Sequence, residues 1–397
     1  VTAPAGRVNF AFGAGMFDPD PDWVALDQLY PNLATSWTVD RGRAYELDRT
    51  EGGRATVEFL DPDGVLDPTN PSGPYLSDIN PLVQVALCRW DPMAGDGAGE
   101  WQPRFRGWVS DLNYVFDPSQ TVNRVTVELV DMFEILGAIE MVAGEFGDLP
   151  PAGSDMEGQV FFEDGTANGR VLKALADSGP PPVGIPPEFY VVFSLNVTVS
   201  SSIYSVGETP LAVIQDAVDA EWSGVGNVYC DRRGRLSVHG RYARFDPAAV
   251  IAGGGEADDW DWHHWQAGDL AAVEAVPGTT AQLREFAFSR GVSKIVNHAT
   301  AYPQWIPVTG GYRSITEQEI AGQTVEDATS VGLYGRRSWS AANLQTGGGL
   351  VDDSDALTET KRVAQYYVDN MAAPKDRITS VGFRSILPGR VGSGYTW

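Results

Sequence analysis

The sequence predicts a mainly β protein with a small α/β insert, and three observations predict it. Between Arg43 and Asp131, apolar residues recur at every second position in short runs divided by turn residues. Forty-four glycines and 26 prolines among 397 residues favour short strands over long helices. The clearest helix signal, Thr209-Pro210 followed by a helical apolar pattern, stands between two β-rich ends.

Residues 1–40 form an N-terminal arm. Val8 to Phe12 reads as a strand, and Trp23, Leu26, Leu29 and Tyr30 mark a small helix or docking arm. Asp18-Pro-Asp20-Pro-Asp22 has the acids of a calcium loop but lacks its glycine at position six and its acid at position twelve, so a plain turn is expected.

Residues 41–146 carry the alternating strands. Tyr45/Leu47, Ala55/Val57/Phe59, Val83/Val85/Leu87 and Val125/Val127/Leu129 each fall on one face of a pleat. Gly52-Gly53 and Asp63-Gly64 are expected to supply the positive φ of hairpin turns. This is a β-barrel or β-sandwich pattern, and Met132 to Leu136 closes it or starts a short helix. Residues 147–187 form a loop-rich linker region holding a short helix from Asn168 to Leu175.

Residues 188–245 read as a small α/β domain. Tyr190–Phe193 and Val197–Val199 are strands, and Thr209 caps a helix that places Leu211, Ile214, Val218 and Trp222 on one face. Gly226 to Val238 is a strand–turn–strand hairpin. Residues 246–283 are an acidic aromatic connector, densest from Glu256 to Trp265. Residues 284–397 are again β-rich and are expected to be interrupted by one helix, Ser354 to Met371, with Leu357, Ala364, Val368 and Met371 on one face.

Length implies two to four domains, and 43% hydrophobic residues suffice for cores. No run of about 18 apolar residues exists to span a membrane. Val1-Thr-Ala-Pro lacks the features of a secretion signal, and two cysteines, Cys88 and Cys230, suggest no disulfide framework. Assembly in a reducing cytoplasm is the simple expectation, and the sequon Asn196-Val-Thr198 carries no weight there. The net charge of −25 argues against a groove that grips nucleic acid through its phosphates.

Candidate chemistry is sparse. Asp258, Asp259, Asp261, His263 and His264 could bind a divalent metal, but adjacent histidines point apart on a helix, and the interleaved tryptophans fit a loop packed on a neighbour. His239 and His298 are isolated and read as structural. No GxSxG elbow, HExxH, paired CxxC, Walker loop or strand-linked GxGxxG occurs. Twelve tryptophans suit sugar stacking and subunit interfaces equally. Arg104/Arg106, Arg232/Arg233/Arg235 and Arg336/Arg337 lie at strand ends or turns, as solvated charge or as partners for a neighbouring subunit's carboxylates. No catalytic, cofactor-binding or metal residue is assigned, and no cofactor is expected.

The order of pieces carries more. Arg43, Tyr45-Glu-Leu-Asp-Arg-Thr-Glu51, Gly53, Ala55-Thr-Val57, Asp61, Asp63-Gly64, Asp67-Pro-Thr-Asn-Pro71 and Phe105-Arg-Gly107 resemble the first barrel of tail-tip hub proteins, above all minor tail proteins of long-tailed phages of actinobacteria. Ile295, Asn297, Ser330, Tyr334-Gly335 and Arg337 are similar to the second barrel of such hubs, and the helix followed by Val228-Tyr-Cys-Asp231, Gly234 and Leu236 resembles their middle module. The resemblance implies two tail-tube-like β-barrel domains, at 41–146 and 284–397, separated by the α/β module. It implies a structural, non-enzymatic virion protein assembled in the host cytoplasm as a homotrimer. Its partners would be a distal tail protein ring, the tape-measure protein and downstream tail-tip or receptor-binding proteins, with DNA passing through unbound. A hexameric distal tail protein is the nearest alternative, and a secreted glycan-binding or glycan-cutting β protein is the alternative of another class.

Overall fold

The computed structural model describes residues 6–30, 33–42, 50–67, 69–75, 78, 80–91, 100–116, 123–149, 159–178, 184–193, 195, 197–199, 201–221, 226–240, 280–290, 295–303, 305–308, 311–314, 322–344, 353–374, 376–386 and 394–396. The chain divides into two compact units, Val1–Val197 with Ser201–Ala243, and Thr198–Ser200 with Arg244–Trp397.

The first unit is built on a seven-stranded sheet of β1 (Arg7–Phe10), β2 (Val24–Ala25), β3 (Ala34–Gly42), β4 (Glu51–Asp61), β5 (Gln84–Asp91), β6 (Glu100–Val115) and β7 (Asn123–Val130). Its order is β2-β1-β5-β6-β7-β4-β3, and every described pairing in it is antiparallel. The expected alternation is what folds it. Ala55, Val57, Phe59, Val85, Leu87, Val125, Val127 and Leu129 share one buried core with Val8, Phe10 and Phe105. In a flat sheet β1 and β4, four strand spacings apart, would be separated by about 19 Å. Instead the Phe10 and Phe59 rings lie 6.1 Å apart, so the sheet is rolled around its core.

The roll stops short of the closed barrel expected from the sequence. Among the described residues no ladder joins the edge strands β2 and β3. The reason is length: β2 holds two residues before the chain turns into α1 (Leu26–Leu29), and Leu26 and Leu33 plug the core there with side chains. A second correction concerns Gly52 and Gly53, which lie inside β4 without positive φ; of the two predicted turn pairs only Asp63-Gly64 makes a turn, with Gly64 at φ 65°. Tyr45 and Leu47 lie outside the described residues.

After β7, Asp131 caps α2 (Met132–Ala138). Further on, α3 (Ala167–Asp177) is capped by Thr166, and α4 (Pro210–Asp219) by Thr209, whose hydroxyl accepts from the Ala212 N–H at 3.3 Å. The two helices pack against each other, and Val171, Leu175, Val213 and Ile214 on them are buried. Ile214 and Val218 are buried as expected, but Val213 and Ala217 complete the stripe in place of the half-buried Leu211. Below α4, Tyr190–Phe193 runs parallel to Leu236–His239, which pairs antiparallel with Asn227–Cys230. The helix and these three strands lie where the sequence predicts them.

In the second unit, Thr280–Arg290, Asp376–Ile386 and Gly394–Thr396 form one antiparallel sheet. His298–Pro303 pairs antiparallel with Gln323–Glu326 and parallel with Ser338–Leu344. The long helix Asp353–Met371 covers this second sheet, burying Val363, Ala364, Tyr367, Val368 and Met371, with Tyr367 stacked on Trp339 at 3.7 Å. Two expectations are corrected here. The described strands form separate sheets and no closed barrel. Beyond the one helix expected, a second helix, Ala328–Tyr334, links Gln323–Glu326 to Ser338–Leu344.

Candidate functional site

Several residues that carry the resemblance are polar, and those among the described residues are tied into the fold; Arg43, Tyr45 to Arg49 and Pro68 lie outside the described residues. Asp61 is fully buried at the end of β4; its two carboxylate oxygens accept the Val65 and Leu66 N–H groups at 2.9 and 2.8 Å. Asp67 accepts the Thr69 N–H at 2.8 Å, Asn70 accepts from Ser72 at 3.0 Å, and the Asn70 amide donates to the Gly64 carbonyl at 3.1 Å. The Asp61 to Asn70 loop is thereby tied by its own side chains, with Leu66 pinned into the core.

A second corner forms where the rolled sheet meets the α/β part of the same unit. Asp131 is buried and accepts the Gly53 N–H at 2.5 Å and the Phe133 N–H at 2.9 Å. The Cys230 thiol also faces this carboxyl, and Arg41 lies close enough to act on it electrostatically. Burial pushes the Asp131 carboxyl up to about 6, against the lowering pull of the two N–H groups, the thiol and Arg41. The Cys230 thiol is driven well above its usual range by burial, and the Asp131 charge adds to this. Gly53 is glycine because a Cβ there would stand 2.7 Å from Asp131 Oδ2.

Nearby, Arg106 on β6 is held between the Trp23 and Phe189 rings, 5.2 and 5.1 Å from their centroids, and donates to Gln84 Oε1 at 2.6 Å. Gln84 in turn donates to the Gly15 and Asp18 carbonyls, and the Trp108 indole donates to Met16 O at 2.8 Å. These bonds strap the N-terminal arm across β5 and β6. Asp231 closes the hairpin turn, accepting from the Arg233 and Arg235 N–H groups and pairing with the Arg235 guanidinium at 2.7 Å. Gly234 in that turn has φ 78°, and a Cβ there would stand 2.8 Å from the Arg106 carbonyl.

In the second unit Asn297 joins the two halves of the second motif. It is fully buried; its amide donates to Ser330 Oγ at 3.1 Å and Gly335 O at 2.9 Å, and its Oδ1 accepts the Arg337 N–H at 2.7 Å. The Ser330 hydroxyl continues the chain of bonds to the Ala372 carbonyl, just past the long helix. Asp327 caps the short helix through the Ser330 N–H at 3.0 Å.

The expected metal candidates Asp258, Asp259, Asp261, His263 and His264 lie outside the described residues. Asp18 and Asp20 form a local turn, with the Asp20 N–H donating to Asp18 Oδ1 at 3.1 Å. Among the described residues no group of three or more His, Cys, Asp or Glu could hold a metal, and no helix is long and apolar enough to cross a membrane. His239 is buried with its Nε2 3.3 Å from the Tyr229 hydroxyl, a packed histidine as expected. His298 begins a strand, where its N–H bonds the Arg337 carbonyl at 3.2 Å. Arg336 pairs with Glu326 of its own chain at 2.9 Å, on the surface.

Sequence reasoning gave no role to Asp61, Asp131 or Gln84. Two of these left a signal: Asp61 opens an Asp-x-Asp-Gly turn, and Asp131 precedes a helical apolar run as a cap does. Gln84, inside an apolar strand, left none.

No protein-family model matches the chain, and no curated protein matches it. Among solved structures it is similar to the 43 kDa tail protein of prophage MuSo2 from Shewanella oneidensis, at 12% identity and a TM-score of 0.46, covering 96% of this chain and 82% of that one. It is similar also to a tail protein from Neisseria meningitidis MC58, at 10% identity and a TM-score of 0.47, covering 98% of this chain and 90% of that one.

Proposed function

We propose that this chain is a structural protein of a phage tail, and within that class the trimeric hub of a tail tip. The observation that carries the reading is the use made of the motif residues that resemble tail-tip hubs. Asp61, Asp67, Asn70, Asp231, Asn297 and Ser330 are each committed to backbone groups of their own chain. Polar residues spent in this way build shape rather than bind substrate. In this reading three copies form a ring below the tail tube, each contributing its two β-rich ends to a sixfold joint with a distal tail protein ring. The tape-measure protein ends in the channel, downstream tail-tip or receptor-binding proteins attach beyond it, and DNA passes an acidic wall without binding. Receptor contact shifts a closed packing to an open one.

The test is the mass of the purified protein in solution, with class averages of negatively stained particles. Threefold rings are expected. Sixfold rings would move the assignment to a distal tail protein. A monomer that is retained on polysaccharide resin would overturn the tail reading in favour of a glycan-binding protein.

A further inference from the structure

Arg7 opens β1 and alternates with Val8, which is buried in the core of the rolled sheet, so Arg7 belongs to the outer side. It sits in register with Cys88 on β5, and Cys88 with Pro103 on β6. Two residues further along these strands stand Trp90 and Trp101, a cross-strand pair whose rings meet edge to face at 5.5 Å. The Arg7 guanidinium lies over the Trp101 ring, 4.1 Å from its centroid. All three side chains are half-buried. The stack holds the cation without neutralising it. Among the described residues no carboxylate pairs with Arg7, and its buried Nε donor has no acceptor. Glu100, next to Trp101 in β6, accepts from Gln102 instead, at 3.0 Å. An indole face attracts the charge but gives the guanidinium N–H groups no lone pair. A buried donor left unmet is costly, so the arrangement calls for an acceptor that none of the described residues brings.

Place and charge say which acceptor. β2 pairs with β1 only at Asn9 and Phe10, so Arg7 stands at the open rim of the sheet, beyond the last edge pairing. A second copy of this chain carries 53 acids against 28 bases, so the surface it brings is rich in the planar anion that a guanidinium fork binds. Two chains of charge −25 repel, and a cation set at their contact offsets this locally. Arginine and tryptophan are also the residues that most often anchor protein interfaces. We propose that Arg7, Trp90 and Trp101 form a docking site for an acidic surface segment of a neighbouring copy: a carboxylate of that copy bonds the Arg7 guanidinium, and the two indoles are covered beside it. The site rests on the ring reading above and names one contact that holds such a ring together.

The experiment is sedimentation velocity of the full chain over a concentration series, at low and at high salt. The wild type is expected to associate, less so at high salt. Arg7→Glu is expected to raise the dissociation constant about tenfold or more, because it puts an acid against an acid. Arg7→Lys is expected to fall between the two, since it keeps the charge and loses the planar fork. A stack that serves only the fold would lower the thermal midpoint of the variants and leave their dissociation constant at the wild-type value; that outcome overturns the site and leaves the ring reading standing. A wild type that stays monomeric at every concentration also overturns the site, and retention on polysaccharide resin then decides the tail reading separately. Should Arg7→Glu fail to fold, the wild type decides through the Arg7 Nε–H resonance, identified by its loss in Arg7→Lys. It is expected to shift as the chains associate, and a resonance that stays in place while they associate ends the proposal.

Discussion

Asn297 shows how much one side chain can hold. Its amide satisfies a hydroxyl within the short helix and a carbonyl and an N–H just past its end, in a position with no access to water. Asn297→Ala strands those partners, and each unsatisfied buried group costs roughly 1–3 kcal/mol. We expect a loss of about 3 kcal/mol, read as a lower thermal midpoint for the second unit with the first unchanged. Asp61 is the counterpart in the first unit. Asp61→Ala leaves the Val65 and Leu66 amides without acceptors, and a loss of about 2–3 kcal/mol is expected from urea unfolding. An unchanged midpoint in either variant would mean the corner is solvated rather than buried.

At the scale of elements, the glycines separate two causes. A Cβ at Gly107 would stand 2.3 Å from the Val130 carbonyl oxygen, where Trp108 pairs with Val130 in the β6–β7 ladder. That carbonyl cannot retreat without breaking the ladder, so Gly107→Ala is expected to cost more than about 3 kcal/mol. Gly64 has φ 65° and room around it, so Gly64→Ala is expected to cost only about 1 kcal/mol through the backbone. Gly165 has neither constraint and serves as a control within about 0.5 kcal/mol of the wild type. Denaturant midpoints of the three variants check the ranking. The same contrast explains Gly52 and Gly53. A glycine pair reads as a turn in sequence, yet Gly53 is required by the approach of Asp131, 78 residues away.

For the whole molecule, the first unit is expected to stand alone. Its rolled core and the α3–α4 layer are complete within it. A chain ending at Ala243 is expected to melt cooperatively by circular dichroism, and a non-cooperative melt would show that the first unit depends on the rest.

What the sequence by itself determined was local and periodic. The buried faces of β4, β5 and β7 follow from period-two alternation, and α4 from its Thr-Pro start. The long helix follows from its apolar face. The order of the polar motif residues was legible too, although their roles were not. What the tertiary structure decided was everything that depends on residues distant in sequence. It left the sheet open, because a two-residue strand cannot carry a ladder to the far edge. It made Ser330 to Tyr334 helical, where Asp327 caps the helix through the Ser330 N–H and the Ser330 hydroxyl is held between Asn297 and the Ala372 carbonyl. It brought Asp131 to Cys230 and Asn297 to Ser330, since a hydrogen bond between distant residues leaves no period in the sequence.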